Sequence, residues 1–264
     1  MPTPTLLSLS AATLCPALPR WLSGDMPDKL VCHCWFVECG DRRALIDTGF
    51  GLRALSNPSM MGRLVGASPK TLRPLATQLA SRGVDPTSLT DIIVTHLDFD
   101  HAGGLEDFPN ATIHVWHSEL SRAKAPPLRE KARYRTKRIQ AIDRWQPHQE
   151  TSGEAWHGFD VVRELAGFEG DVLLVPLPGH SVGHLGIAVR QDAGWRLHAG
   201  DAYMDQRELS APAEASRMLR RFGTTVHDDR GLAAMNLDRL RTLSADVDIV
   251  CSHDASTCPG CLSA

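Results

Sequence analysis

The sequence has no long apolar run, no secretion signal and no strong charge of either sign. None of its hydrophobic stretches approaches the ~18 residues that a membrane-spanning helix needs. The first five residues lack the basic start and the apolar stretch of a signal peptide. A formal net charge of −3 gives no global reason to expect nucleic acid or an anionic membrane as a partner. We therefore expect a cytoplasmic protein that binds neither of them.

The seven cysteines do not form a disulfide pattern, since their number is odd and no secretion signal precedes them. Cys32 and Cys34 alternate with His33, as strand residues would, and we interpret them as small buried hydrophobic residues. Cys258 and Cys261 form a single CxxC, which is half of a zinc site, and the sequence has no second half. We interpret this motif as a surface turn, with metal or redox chemistry as the alternative.

Predicted strands and helices alternate along the chain, with no repeat and no clear linker. Strands are predicted at residues 30–38, 43–46, 91–95, 112–116, 172–175, 186–190, 195–198 and 248–251, and helices at 69–82, 118–124, 128–145, 213–222 and 232–243. This mixture of hairpins and crossovers predicts a layered α/β fold with helices outside. We expect a single domain over residues 1–264, with an N-terminal arm at 1–29 and a C-terminal tail at 255–264.

Histidine and aspartate cluster directly after predicted strands. His96, Asp98, Asp100 and His101 lie within six residues, immediately after the apolar run 92–94. Residues of the same kinds follow four further strands, namely Asp47, His180, His184, Asp201 and His253. A packed core rarely contains imidazole and carboxylate groups at this density, because burying them without partners is unfavourable. Because strand ends hold side chains rigidly, the pattern predicts a metal site at one edge of the fold.

The order of these motifs resembles the metallo-β-lactamase superfamily. HxDxDH, GHSxGH, GD and a final SHD follow a DTG, over about residues 30–254. The resemblance implies an αββα sandwich of two mixed β-sheets, with helices on both outer faces and the metals at one edge. The wording HLDFDHAGG, with the closing SHD, is most similar to the N-acyl homoserine lactonase, or quorum-quenching, branch.

The resemblance also implies two divalent metal ions, with zinc as the first choice. Carried over residue by residue, one ion would be held by His96, Asp98 and His180, the second by Asp100, His101 and His253, and both by the bridging Asp201. Asp47 would support these ligands from behind. We interpret His184 as structural rather than as a ligand.

Asp98 departs from the usual motif, HxHxDH, in which a second histidine stands at this position. It adds a third carboxylate, so that the two divalent ions bring +4, the carboxylates bring −3 and a bridging hydroxide would neutralise the centre. We expect an oxygen-rich first site to accept iron or manganese more readily, and the bridging water to be less acidic. The alternative is that Asp98 leaves a single metal.

The implied reaction is cleavage of a lactone or carboxylic ester by the metal-bridging hydroxide, with a small molecule as the partner and a homodimer as a further possibility. Asp100 or a metal-bound water would pass a proton to the leaving group. Tyr203, two residues after Asp201, resembles a lactonase tyrosine that points at the substrate carbonyl, although it stands one residue closer. The alternative for Tyr203 is a packed side chain. A thioester hydrolase of the glyoxalase II kind, a phosphoester hydrolase and an iron-dependent redox protein are the alternative functions.

Two segments could contribute to substrate binding. Residues 50–68 are rich in Gly, Ser, Met and Pro, and we expect them to overhang the site. Residues 129–144 carry seven cations against two anions. We interpret them as a solvated helix face, with a wall for anionic substrates as the alternative. The histidines without a motif, including His227, are interpreted as surface or core residues.

Overall fold

The computed structural model describes residues 3–14, 24–57, 59–149, 151, 153–258 and 261. These residues form two β-sheets of six strands each. The first sheet has the order β1 (Thr5–Leu14), β2 (Leu30–Cys39), β3 (Arg42–Ile46), β4 (Asp91–Ile93), β5 (Thr112–Trp116) and β6 (Trp145–His148). The second has the order β12 (Asp248–Val250), β11 (Gly194–His198), β10 (Leu185–Gln191), β9 (Val172–Pro176), β8 (Phe159–Glu164) and β7 (Glu154–Trp156).

Both sheets are mixed. In the first sheet β1, β2 and β3 are antiparallel neighbours, and β3 to β6 run parallel. In the second sheet β7 to β11 are antiparallel, and β12 joins β11 in parallel. The strands whose ends carry the DTG, HxDxDH, GD and SHD motifs, namely β3, β4, β11 and β12, all have a parallel neighbour.

Helices lie along both sheets. In the described residues they are α1 (Arg53–Ser56), α2 (Met60–Leu64), α3 (Leu75–Ala80), α4 (His117–Lys124), α5 (Thr136–Ala141), α6 (Arg207–Ser210), α7 (Arg217–Val226) and α8 (Arg230–Leu243). Short 3₁₀ turns cover Pro86–Ser88, Leu105–Asp107, Leu128–Glu130 and Ala255–Thr257. None of the helices in this part of the chain has the length and apolar character required to cross a membrane.

The apolar side chains form three clusters, one for each contact between layers. Between the sheets, Trp35 and Ile46 of the first sheet pack with Ile187 and Val189 of the second. A second cluster joins the other face of the first sheet to α3, α4 and α5. A third joins the outer face of the second sheet to α8. The layers are therefore helix, sheet, sheet and helix, and the predicted αββα sandwich is confirmed.

Several local predictions differ from the structure. The predicted N-terminal arm contains β1, which pairs with β2 from Thr5 to Leu14, while residues 15–23 lie outside the described part. The helix predicted at 69–82 covers only Leu75–Ala80. Residues 71–73 instead bond to β1, and Pro74 disfavours helical backbone in the residue before it.

The basic segment predicted as one helix, 128–145, is broken into a 3₁₀ turn, α5 and the first residue of β6. Its middle is held as irregular backbone, because Arg133 accepts a bond from the amide of Phe99 and Tyr134 bridges to Asp98.

The C-terminal residues contact the domain more closely than a tail would. Cys258 is buried and bonded to Cys261, whereas we interpreted this CxxC as a surface turn. Cys32, Cys34, Cys39 and Cys251 are free and buried, as expected of small hydrophobic residues. Cys15, residues 259–260 and residues 262–264 lie outside the described part.

Candidate metal centre

The predicted ligands meet in loops at one edge of the sandwich. In the loop after β4, the amide and the hydroxyl of Thr95 both donate to the carboxylate of Asp47, at 2.7 and 2.8 Å. Asp47 has a φ of +57°, in the left-handed region, so the chain turns sharply at the end of β3. Gly103 follows the ligands because a Cβ there would lie 2.5 Å from the carbonyl oxygen of Phe99.

Four predicted ligands form one half of the centre. The carboxylate of Asp201 lies 3.3 Å from Nε2 of His101 and 3.2 Å from Nε2 of His253. Asp100 lies at the same place, with its Oδ2 3.8 Å from Nε2 of His253. The ligand atoms of His101, Asp201 and His253 are all within 4.8 Å of one another.

The other half is built by His96, His180 and the same Asp201, whose ligand atoms also lie within 4.8 Å of one another. Oδ2 of Asp201 is 3.6 Å from Nε2 of His180 and 4.0 Å from Nε2 of His96. Asp98 faces this half, since its Oδ2 is 3.2 Å from Nε2 of His180 and 3.4 Å from Nε2 of His96. Asp201 thus lies between two sets of donors.

The ligand atoms are arranged to bind metal ions rather than to form hydrogen bonds with one another. In the described residues, Nε2 of His96, Nε2 of His101 and Oδ1 of Asp201 are buried and make no hydrogen bond. A buried polar atom without a partner destabilises a fold unless something binds it. Imidazole nitrogens with carboxylate oxygens at this spacing are the ligands that zinc takes in catalytic sites.

Electrostatics prepares the pocket for positive charge. Burial alone would raise the pKa of Asp201, but His253 and His101 outweigh it and hold that pKa well below its usual range. Burial alone would lower the pKa of His253, but Asp201 and Asp100 raise it to about 9. Burial and the neighbouring His101 lower the pKa of His96 to about 4. Protons and positive charge are therefore drawn to the half that contains His253.

Residues behind the ligands fix their rings. Nδ1 of His101 lies 2.8 Å from Asp47, and Nδ1 of His253 lies 2.8 Å from the carbonyl of Val31. His184 bonds the carbonyl of Leu177 through Nδ1 and accepts from the amide of Asp201 through Nε2, both at 3.0 Å. Asp47 and His184 thus occupy the supporting positions that we predicted. Such contacts orient imidazoles for a metal.

Arg133 is a site residue that the sequence analysis missed. Its guanidinium pairs with Asp98 through two bonds, Nε to Oδ1 and Nη2 to Oδ2, each of 2.8 Å. Its Nη1 also donates to the carbonyls of His180 and Val226. Burial opposes the charge of Asp98, but Arg133 outweighs it and holds the pKa of that carboxyl well below its usual range. Because Arg133 is one of seven cations in its segment, nothing in the sequence distinguished it.

Glu119 on α4 was also missed. Its carboxylate is buried and accepts from the amide of Leu97 at 3.0 Å and from the amide of Gly183 at 3.1 Å. It therefore joins the loop of HxDxDH to the loop of GHSxGH, which keeps His96 and His180 in register. An isolated glutamate in a helix gave no signal of this role.

A cavity of about 1110 Å³ opens onto the centre. Its floor contains Asp98, Asp100, His180, Asp201 and His253. Its walls are largely apolar and include Leu14, Met26, Leu30, Met61, Leu64, Val65, Phe99, Met204, Phe222 and Val226. Three of these residues lie in segment 50–68, so the predicted overhang is present. Of the charged residues that line it, Arg129 is already paired with Asp228 and Glu130.

His227 lies in the cavity wall, against our interpretation of it as an ordinary surface or core residue. Its ring is 5.5 Å from the ring of His180, centroid to centroid, and its Nδ1 is buried with no hydrogen-bond partner among the described residues. His227 is the C-cap of α7. The sequence around it contains no motif, so nothing in the sequence placed this histidine at the site.

Tyr203 does not occupy the predicted position at the substrate. It is 2% exposed, packs in the cluster under α8 and donates its hydroxyl to Oε1 of Gln206 at 2.9 Å, and it is not among the cavity residues. The structure therefore agrees with the alternative interpretation, in which Tyr203 is a packed side chain. Ser181, the serine of GHSxGH, is 1% exposed and precedes strand β10, so it does not present the hydroxyl that a nucleophilic serine needs.

Comparison with known proteins agrees with this geometry. A family model described as the metallo-beta-lactamase superfamily matches residues 27–253. The chain belongs to this superfamily. It is 35% identical over 237 residues to a probable metallo-hydrolase of Mycobacterium tuberculosis, covering 85% of this chain and 75% of the relative.

Two lactonases are also similar. An N-acyl homoserine lactonase of Bacillus cereus is 31% identical over 97 residues, which are 34% of this chain and 38% of that enzyme. The crystal structure of a quorum-quenching N-acyl homoserine lactone lactonase superposes with a TM-score of 0.71 at 21% identity, covering 99% of this chain and 96% of that one. At that identity the superposition shows the shared fold of this hydrolase superfamily.

Proposed function

We propose that this protein hydrolyses a lactone or a carboxylic ester with an apolar acyl group, at a centre of two divalent metal ions. The cavity carries the proposal, because its floor is made of ligand residues and its walls are apolar. Small-molecule sites combine a few polar groups at the reacting bond with apolar surface for the rest of the ligand. The names of the similar lactonases support the same class of substrate.

The donor set supports two zinc ions, with iron or manganese as alternatives at the half that contains Asp98. One ion would be held by His96, Asp98 and His180, the second by Asp100, His101 and His253, and Asp201 would serve both. Bound there, the ions would supply an activated water and a Lewis acid for the substrate carbonyl.

The chain's own residues position the substrate and move the proton. The apolar walls hold the acyl group and exclude water from it. His227 lies in the cavity wall beside His180, in reach of a polar substrate group. Asp100 lies on the cavity floor, where its carboxyl can pass a proton to the departing oxygen. Tyr203 has no part in this proposal.

A phosphoester is a poorer match to the same cavity. Arg129 and Arg133 are cations of its wall that are already paired with carboxylates, and Arg230 donates to the carbonyl of Thr224. A phosphoryl group would have to compete with those partners. A thioester shares the carbonyl and the acyl chain of an ester, so the substrate panel includes it as a separate arm.

The test is a panel of two acyl homoserine lactones with short and long chains, an aryl ester, an acyl thioester and an aryl phosphate. We expect lactone or ester hydrolysis, loss of activity after chelation, and kcat/KM rising about fourfold for each additional buried methylene, from ~0.8 kcal/mol per group. A preference for the phosphate, or for the thioester by more than about tenfold, contradicts the proposal.

Leu64→Ala gives the panel a structural control. Leu64 lines the cavity and is 60% exposed, whereas Leu52 is 43% exposed and is not a cavity residue. We expect Leu64→Ala to reduce the preference for the long chain and Leu52→Ala to leave it unchanged. Equal effects of the two substitutions would show that the acyl chain does not bind in this cavity.

A further inference from the structure

Cys32 lies beside the candidate metal centre and is not one of its predicted ligands. Its sulfur is within 4.8 Å of a carboxylate oxygen of Asp100 and of a ring nitrogen of His253. Its side chain is 2% exposed and carries a free thiol. Both neighbours belong to the half of the centre that would hold the second metal. A thiol is therefore packed among the ligand atoms of one ion.

The backbone fixes Cys32 in this position. The amide of Val31 donates to the carbonyl of His253 at 3.3 Å, and the carbonyl of Val31 lies 2.8 Å from Nδ1 of the same residue. On the other side of Cys32, the amide of His33 donates to the carbonyl of Ser252 at 2.8 Å. The start of β2 is thus bonded to the SHD loop on both sides of the cysteine.

An independent observation indicates a cation at the same place. Nε2 of His101 and Oδ1 of Asp201 are buried, lie 3.3 Å apart and make no hydrogen bond. Asp201 is in turn 3.2 Å from Nε2 of His253, the ring next to the thiol. The group of unsatisfied atoms and the group that contains the sulfur therefore share one residue, His253.

We propose that Sγ of Cys32 is an additional ligand of the second metal ion, beside Asp100, His101, Asp201 and His253. When the ion binds, the S–H bond breaks, the proton leaves to solvent and a sulfur electron pair forms the bond to the metal. The step needs no oxidant or reductant. It rests on the dinuclear centre of the proposed function.

The two halves of the centre would then differ in character. Asp98 makes the first half rich in oxygen, which suits harder ions such as manganese. A thiolate from Cys32 makes the second half softer, which suits zinc and cobalt. We therefore expect the second half to keep zinc when manganese is offered in competition.

Cobalt substitution tests the ligand directly, because a thiolate bound to Co²⁺ gives an intense charge-transfer absorption in the near ultraviolet that nitrogen and oxygen ligands do not give. We expect this band in the cobalt-loaded wild-type protein and its loss in Cys32→Ala. Cys34→Ala is the matched control, because Cys34 is 1% exposed, lies on the same strand and face, and donates its thiol to the carbonyl of Cys32. It should keep the band.

The outcomes separate this proposal from the proposed function. A cobalt content near two ions per chain without the band, or a band that survives in Cys32→Ala, overturns the role of Cys32 and leaves the dinuclear hydrolase standing. A chain that binds no cobalt overturns both. If Cys32→Ala does not fold, X-ray absorption of the zinc-loaded wild type decides, since a Zn–S distance of about 2.3 Å is expected and a shell of nitrogen and oxygen alone refutes the ligand.

Discussion

Replacing Arg133 with methionine tests how the carboxylate of Asp98 is stabilised. The guanidinium makes two 2.8 Å bonds to Asp98 and further bonds to two backbone carbonyls. The side chains of Arg133 and Asp98 are only 16% and 12% exposed. Methionine keeps the length of the side chain and removes its charge, so the substitution leaves a buried carboxylate without its partner.

The expected cost follows from this burial. Two unit charges 2.8 Å apart attract by about 6 kcal/mol at an effective dielectric constant of about 20. Their desolvation offsets part of that gain, but removing one partner leaves the other charge uncompensated, which costs about 3–5 kcal/mol in buried pairs. We therefore expect Arg133→Met to lower the free energy of unfolding of the metal-free protein by about 3–5 kcal/mol at neutral pH.

Urea unfolding of metal-free protein measures this change, with the double variant Asp98→Asn, Arg133→Met as its control. Because the double variant removes the unpaired charge, it should lose only about 1–2 kcal/mol, mostly from the bonds to the two carbonyls. A bound cation would also neutralise Asp98, so Arg133→Met should cost less in the metal-loaded protein. Equal losses in the single and double variants, with and without metal, would refute the pairing argument.

Two further predictions concern residues outside the ligand set. Burial, with His114 next to it, lowers the pKa of His148 from 6.5 to about 4, so the unfolded chain takes up this proton first as the pH falls below 6.5. This stability is therefore present above pH 6.5 and lost toward pH 4. In urea unfolding, His148→Gln should remove about 1–2 kcal/mol of this loss, after discounting for partial exposure, and an unchanged pH dependence would contradict the argument. In steady-state assays, Tyr203→Phe should change kcat/KM by less than about twofold. His227→Phe should lower kcat about tenfold or more at unchanged metal content. The reverse result would show that Tyr203, and not His227, acts on the substrate.

The ligands could be predicted because each follows directly after an apolar strand. The chain separates His96 from His253 by more than half its length, yet both stand where a strand ends at the same edge of the sandwich. A period-2 apolar run and a polar loop after it are local features, so the sequence shows them. Tyr203 packs away from the cavity, because spacing in a loop does not fix the direction of a side chain.

Strands β1, β7 and β8 could not be predicted for the opposite reason. β1 is defined by its pairing with β2, and its first residues are exposed or half-buried without a clear apolar period. β7 and β8 are short, contain several exposed residues and form a hairpin at the edge of the second sheet. Such segments become strands because a partner lies beside them, and that partner is set by the tertiary fold.

The charge at the first half of the centre depends on a residue that lies outside the ligand motifs. The sequence alone counts three carboxylates, Asp98, Asp100 and Asp201, and so predicts a centre with one positive charge fewer than its histidine-containing relatives would have. Arg133, 35 positions from Asp98, supplies that charge at 2.8 Å. Because the pair Asp98–Arg133 is neutral, as an imidazole would be, the expectation of a less acidic water loses its electrostatic basis. The preference for harder metals depends on the oxygen donor itself, and that donor remains.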